Sequence, residues 1–110
     1  MKSISIIIPC YNEQDSLPLF YAETRKVLEK IDLQYELIFI NDGSKDNTLT
    51  ILRDLATQDP NVYYLSFSRT FGKEASMFAG FCNTSGDYVA VMDADLQDPP
   101  SLLPEMLQIL

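Results

Sequence analysis

Four short apolar runs, each followed at once by polar residues and separated by stretches of helical periodicity, constrain this chain more than any other feature. The first, Ser3-Ile4-Ser5-Ile6-Ile7-Ile8, is rich in β-branched residues and ends at Pro9. The others are Tyr35–Ile40, Val62–Phe67 and Tyr88–Met92. Near-continuous apolar character predicts strands buried on both faces, as in a parallel sheet. Between the first two runs, Leu17, Phe20, Tyr21, Thr24, Val27, Leu28 and Ile31 recur at three- and four-residue steps, a helix reaching from about Glu13 to Lys30. Pro18 is tolerated only in a first turn, so that helix starts near Asp15 to Leu17.

The same logic continues along the chain. Asn41-Asp42-Gly43-Ser44 is a turn, and Asp46 can cap a helix from Asn47 to about Gln58 with Leu49, Leu52, Leu55 and Ala56 on its inner face. Asp59-Pro60-Asn61 breaks the chain before the third strand. Phe71 to Asn83 is helical, with Ala75, Phe78, Ala79 and Phe81 or Cys82 turned inward. Ser85-Gly86-Asp87 turns into the fourth strand. Asp98-Pro99-Pro100 opens a last helix, starting near Pro100 or Ser101 and running off the end at Leu110, which points to a piece of a longer protein. The order βαβαβαβα predicts an α/β fold with a mostly parallel sheet.

Bulk properties set limits on function. With 110 residues, 46% hydrophobic and 22% charged, the chain suits one globular domain. No apolar run approaches the roughly 20 residues of a membrane-spanning helix, and no signal peptide is visible, so the segment reads as a soluble, cytoplasmic type without a membrane span. The net charge of -8 argues against a nucleic-acid partner, which needs a basic face. The complete lack of histidine removes the commonest acid, base and metal ligand. Most carboxylates then read as solvated surface. Cys10 and Cys82 form no CxxC pair and have no activating base, so both read as reduced thiols in or near the core.

In a parallel α/β sheet, ligands bind at the carboxyl ends of the strands. Asp93 and Asp95 follow the fourth strand, one residue apart, and project to the same side. Two such carboxylates repel unless a cation lies between them, and Mg²⁺ or Mn²⁺ takes oxygen ligands of this kind together with phosphate oxygens. Gln97 can add a carbonyl oxygen or orient a water; the plainer reading is a turn with an Asx cap. After the third strand, Arg69 and Lys73 flank a helix start, where backbone N–H groups favour an anion such as a diphosphate. Their plainer reading is a surface ion pair, for instance Lys73 with Glu74. Tyr11 can stack on a base, and Glu13 and Asp42 can accept hydrogen bonds from a base edge or a ribose hydroxyl, or simply cap the helices that follow.

Taken together, Ile8-Pro9-Cys10-Tyr11-Asn12-Glu13, Asn41-Asp42-Gly43-Ser44, Ser68-Arg69-Thr70-Phe71-Gly72-Lys73-Glu74 and Asp93-Ala94-Asp95-Leu96-Gln97-Asp98-Pro99-Pro100 resemble family 2 glycosyltransferases of the GT-A fold. The FGKE and DADLQDPP blocks are most similar to the polyprenyl-phosphate subgroup, which includes dolichol-phosphate mannose synthases and bactoprenol glucosyltransferases. The resemblance implies a three-layer Rossmann-like nucleotide-binding half covering residues 1–110, with the acceptor half and membrane helices absent. It implies that Pro9, Tyr11, Glu13 and Asp42 hold the nucleoside, that Arg69 and Lys73 approach the diphosphate or acceptor phosphate, and that Asp93, Asp95 and Gln97 bind the metal. The catalytic residue is left unassigned, with Asp98 as a candidate acid or base. The implied reaction moves a hexose from a UDP- or GDP-sugar to a lipid phosphate, with a divalent cation neutralising the leaving diphosphate, at the cytoplasmic face of a membrane. Two rival readings are a non-catalytic sugar-nucleotide-binding module and a phosphoaspartate phosphatase or receiver. The second of these places its key acids after other strands.

Overall fold

A computed structural model describes residues 3–31 and 34–94. The last expected helix, and with it Asp95, Gln97 and Asp98, lies outside the described residues. Among the described residues seven elements alternate: β1 (Ser3–Cys10), α1 (Leu17–Glu29), β2 (Gln34–Asn41), α2 (Thr48–Gln58), β3 (Val62–Ser66), α3 (Lys73–Phe81) and β4 (Tyr88–Val91). All strand pairs are parallel and the sheet order is β3-β2-β1-β4. The expected α/β architecture with alternating elements is what forms.

Helices cover both faces of the sheet. Ile4, Ile6 and Ile8 of β1, with Leu37 and Phe39 of β2, pack under Leu17, Phe20 and Leu28 of α1 and Leu52 of α2. The opposite faces of the same strands carry Ile7, Ile38 and Ile40. α3 lies on that second side, where Gly80 backs directly onto Ile7. Alternate residues therefore enter separate cores, which explains why β1 and β2 read as continuous apolar runs.

Three sequence expectations change. β1 does not stop at Pro9 but runs on to Cys10, because Pro9 lies where the ladder to β4 has already ended at Ile7↔Val91. The Ile7 carbonyl accepts from Met92 N–H on the β4 side and the Cys10 carbonyl accepts from Asp42 N–H on the β2 side, so the missing N–H of Pro9 faces β4 beyond its last pair. α3 is shorter than 71–83, and its buried positions are Ser76 and Gly80 rather than Phe78 and Phe81, which are exposed. A Cβ on Gly80 would lie 2.5 Å from an Ile7 methyl carbon, so the helix sits closer to the sheet than a large side chain permits. Cys82, two residues past Gly80 and so turned to the other side of the helix, is exposed instead of buried. Cys10 is buried as expected.

Candidate active site

The chain steps outward from β1 to β2 to β3, then returns to the other side of β1 to form β4. The order reverses between β1 and β4, and a crevice opens at their carboxyl ends as this topology requires. There lies an open cleft of about 360 Å³, lined by Pro9, Cys10, Tyr11, Glu13, Asp42, Thr70, Lys73, Ser76 and Asp93. Six of the residues singled out from sequence meet in it: Pro9, Tyr11, Glu13, Asp42, Lys73 and Asp93. Arg69 does not. It lines an adjoining groove with Lys45 and Ser44, its guanidinium carbon 4.8 Å from the centre of the Phe71 ring.

The β1–α1 loop supplies Tyr11 and Glu13. Asn12 adopts φ 52°, a left-handed conformation that asparagine tolerates. Its N–H donates to the Ser44 hydroxyl and its side-chain oxygen accepts from Lys45 N–H, tying this loop to the β2–α2 loop. Glu13 N–H donates to the Thr48 hydroxyl, and the Glu13 carboxylate accepts from the Ser16 hydroxyl at 2.9 Å. Glu13 thus supports the start of α1 while its side chain lines the cleft. Tyr11 is 45% exposed at the rim, open to a stacking partner. Asn47, not the expected Asp46, is the N-cap residue of α2, but Asp46 braces the helix start from one residue earlier: its carboxylate accepts from Thr48 N–H and hydroxyl and from Gln14 N–H. Desolvation disfavours its charge, but these donors outweigh it and hold the carboxyl below its ordinary range.

Asp42 has a role that sequence reasoning did not find. It is buried, and its carboxylate accepts from Phe71 N–H at 2.7 Å and Gly72 N–H at 3.0 Å. The Thr70 hydroxyl donates to the Asp42 carbonyl. The N–H groups ahead of α3, expected to receive a diphosphate, are at these two positions already held by an internal carboxylate. Asp42 therefore fixes the β3–α3 loop and, through it, the first residue of α3, Lys73. Gly43 permits this close approach. At φ 71°, it faces the backbone of Arg69 and Thr70, where a Cβ would come within 2.5 Å. Thr70 and Ser76 also line the cleft without having been singled out; Ser76 was legible as the residue one helical turn after Lys73.

Lys73 Nζ lies 2.9 Å from an Asp93 carboxylate oxygen, rather than pairing with Glu74 as the plainer sequence reading had it. Among the described charged side chains lining the cleft, three carboxylates (Glu13, Asp42, Asp93) face one ammonium. Burial first, and the Glu13 charge second, push the Cys10 thiol well up from its ordinary range, so it stays protonated and is no nucleophile. The donor set suits a hard, oxygen-seeking cation. Among the described residues, no group of three or more His, Cys, Asp or Glu lies close enough together to hold a metal ion by itself.

Fold and cleft define the class: a doubly wound α/β domain of the GT-A type. The chain belongs to glycosyl transferase family 2, whose family model matches residues 5–110. It is 46% identical over 105 residues to a bactoprenol glucosyl transferase of Shigella phage SfX, covering 96% of this chain and 34% of that protein. It is 41% identical over 106 residues to an undecaprenyl-phosphate 4-deoxy-4-formamido-L-arabinose transferase of Pseudomonas fluorescens (strain SBW25), covering 96% of this chain and 31% of that one. The chain therefore spans about a third of the length of these curated relatives. Among solved structures, glucosyl-3-phosphoglycerate synthase from Mycobacterium tuberculosis, in complex with Mn²⁺, UDP and glucosyl-3-phosphoglycerate, superposes with a TM-score of 0.71 at 26% identity, over 97% of this chain and 39% of that one. No described helix is long and apolar enough to cross a membrane.

Proposed function

We propose that this chain is the donor-binding part of an enzyme that transfers a hexose from a UDP- or GDP-sugar to a polyprenyl or dolichyl phosphate. The observation that carries this reading is the placement of Asp93 and Lys73 in one cleft with Tyr11, Glu13 and Asp42 at the point where strand order reverses. The named relatives act on bactoprenol and undecaprenyl phosphate, which supports a lipid-phosphate acceptor. The UDP- and Mn²⁺-containing neighbour supports a nucleotide-sugar donor and a divalent cation.

In this reading Tyr11 stacks on the base, and Pro9, Glu13 and Asp42 bound the nucleoside pocket. Asp93, with Asp95 and Gln97 beyond it in sequence, holds the cation. Lys73 faces the diphosphate, and Arg69 waits at the adjoining groove for the acceptor phosphate. The cation, when bound, neutralises the diphosphate as it departs. An acceptor phosphate oxygen forms the new bond to the anomeric carbon as that carbon's bond to the diphosphate breaks. The acceptor is already ionised, so little proton transfer is asked of a cleft without histidine, and Asp98 is the candidate if one is needed. Membrane attachment at the cytoplasmic face belongs to the remainder of the protein.

The test is label transfer by the intact protein from UDP-glucose and from GDP-mannose to polyprenyl phosphate. Incorporation from one donor, lost with chelator and in Asp93→Asn, is the expected result. Donor binding without transfer to any lipid phosphate would instead establish a sugar-nucleotide-binding module.

A further inference from the structure

From the ion pair between Lys73 and Asp93 we infer that Lys73 is a built-in stand-in for the divalent cation, occupying Asp93 until the metal arrives with the nucleoside diphosphate. This rests on the reading of Asp93 as a metal ligand. Three features of the cleft carry it. The ammonium lies 2.9 Å from the Asp93 carboxylate, the distance of a direct charge-assisted hydrogen bond. The cleft holds Glu13 and Asp42 as well, so among the described residues Lys73 is a cation in a lining rich in carboxylates. Finally, the base of Lys73 is anchored while its side chain reaches into the open cleft. Asp42 holds the two N–H groups just before it, at Phe71 and Gly72, whereas the lysine side chain is 59% exposed on a flexible four-carbon stem.

A metal ion and an ammonium compete for the same carboxylate oxygens. Binding of metal alone must displace Lys73 from Asp93 and leave two cations side by side. Binding of metal with diphosphate displaces Lys73 onto phosphate oxygens in the same cleft. Lys73 therefore opposes the first event and favours the second, which couples metal affinity to nucleotide occupancy. The device offsets the Asp93 charge between turnovers and disfavours loading with metal alone.

The experiment measures Mn²⁺ binding to the intact protein by electron paramagnetic resonance of free Mn²⁺, without nucleotide and at saturating UDP, for the wild type, Lys73→Met, Lys73→Arg and Asp93→Asn. A half-exposed ion pair contributes up to about 1 kcal/mol, about fivefold in affinity. Lys73→Met is expected to bind Mn²⁺ alone about three- to fivefold more tightly than the wild type, and UDP in the presence of Mn²⁺ more weakly. A folding defect would weaken both, so the opposite signs separate the two explanations. Lys73→Arg keeps the charge and should stay near the wild type. Unchanged or weaker binding of Mn²⁺ alone by Lys73→Met, with binding abolished in Asp93→Asn, overturns the stand-in while leaving the metal site intact. Undiminished Mn²⁺ binding by Asp93→Asn with UDP present overturns both.

Discussion

Replacing Asp42 with asparagine keeps the shape of the side chain and removes its charge, so it isolates what that charge does. In the structure one carboxylate oxygen accepts from Phe71 N–H at 2.7 Å and the other from Gly72 N–H at 3.0 Å, and the residue is only 5% exposed. Asparagine can serve one of these donors through its carbonyl oxygen, but its amide group then points at the other, donor against donor. A hydrogen bond to a charged acceptor contributes about 1.5–3 kcal/mol against about 1 kcal/mol for a neutral one, and a part-buried donor left without a partner costs about 1 kcal/mol, the low end of the buried range. The two effects sum to about 1.5–3 kcal/mol, a large share of a domain's stability. Urea denaturation should show a lower midpoint with an unchanged slope. UDP affinity should fall as well, because the loop that Asp42 holds places Lys73. A stability loss below about 1 kcal/mol together with a large loss of UDP binding would refute the positioning role and leave Asp42 as a nucleoside contact alone.

Gly43→Ala forces a left-handed alanine and drives a methyl into the Arg69–Thr70 peptide, so it should lower stability by about 3 kcal/mol in the same denaturation assay and weaken UDP binding with it. Gly80→Ala places its methyl 2.5 Å from Ile7 and should cost about 1–3 kcal/mol, but here the obstacle is a side chain; combined with Ile7→Ala, the loss should be clearly less than the sum of the single losses. Glu36 gives a pH test. Desolvation works against its charge, yet the Ser85 hydroxyl, the Ser5 hydroxyl and Ser85 N–H hold its carboxyl below the ordinary glutamate value of 4.5. A folded-state value below the unfolded one means the stabilisation is complete above the unfolded value and lost as pH falls through the folded one. The urea midpoint should therefore drop as pH falls from about 5 to about 3, and Glu36→Gln should flatten that part of the profile.

The sheet was legible because each strand announces itself twice, by an apolar run and by the polar cluster that closes it. Ile4, Ile6 and Ile8 enter one core and Ile7 the other, and a run apolar on both sides has few homes outside a parallel sheet. The facing of α3 was not legible, because apolar periodicity records which residues seek burial and not how closely two backbones approach. Gly80 and Ser76 win the sheet-facing positions by being small, and Phe78 is displaced outward although it is far more apolar. The candidate residues that line the cleft were legible by position, since whatever follows a strand in this topology reaches the same edge. Their partners were not found by position. Asp42 meets Phe71 and Gly72 across 29 and 30 residues, and Lys73 meets Asp93 across 20, so local reasoning assigned Asp42 to its own turn and Lys73 to its neighbour Glu74. These two long-range contacts are linked. Asp42 fixes the backbone from which Lys73 extends, and Lys73 then balances the acid on which the cation reading depends. A neutral residue at position 42 would therefore disturb the counter-charge at Asp93 without touching it, and the effects of Asp42→Asn and Lys73→Met on UDP binding should be less than additive when the two are combined.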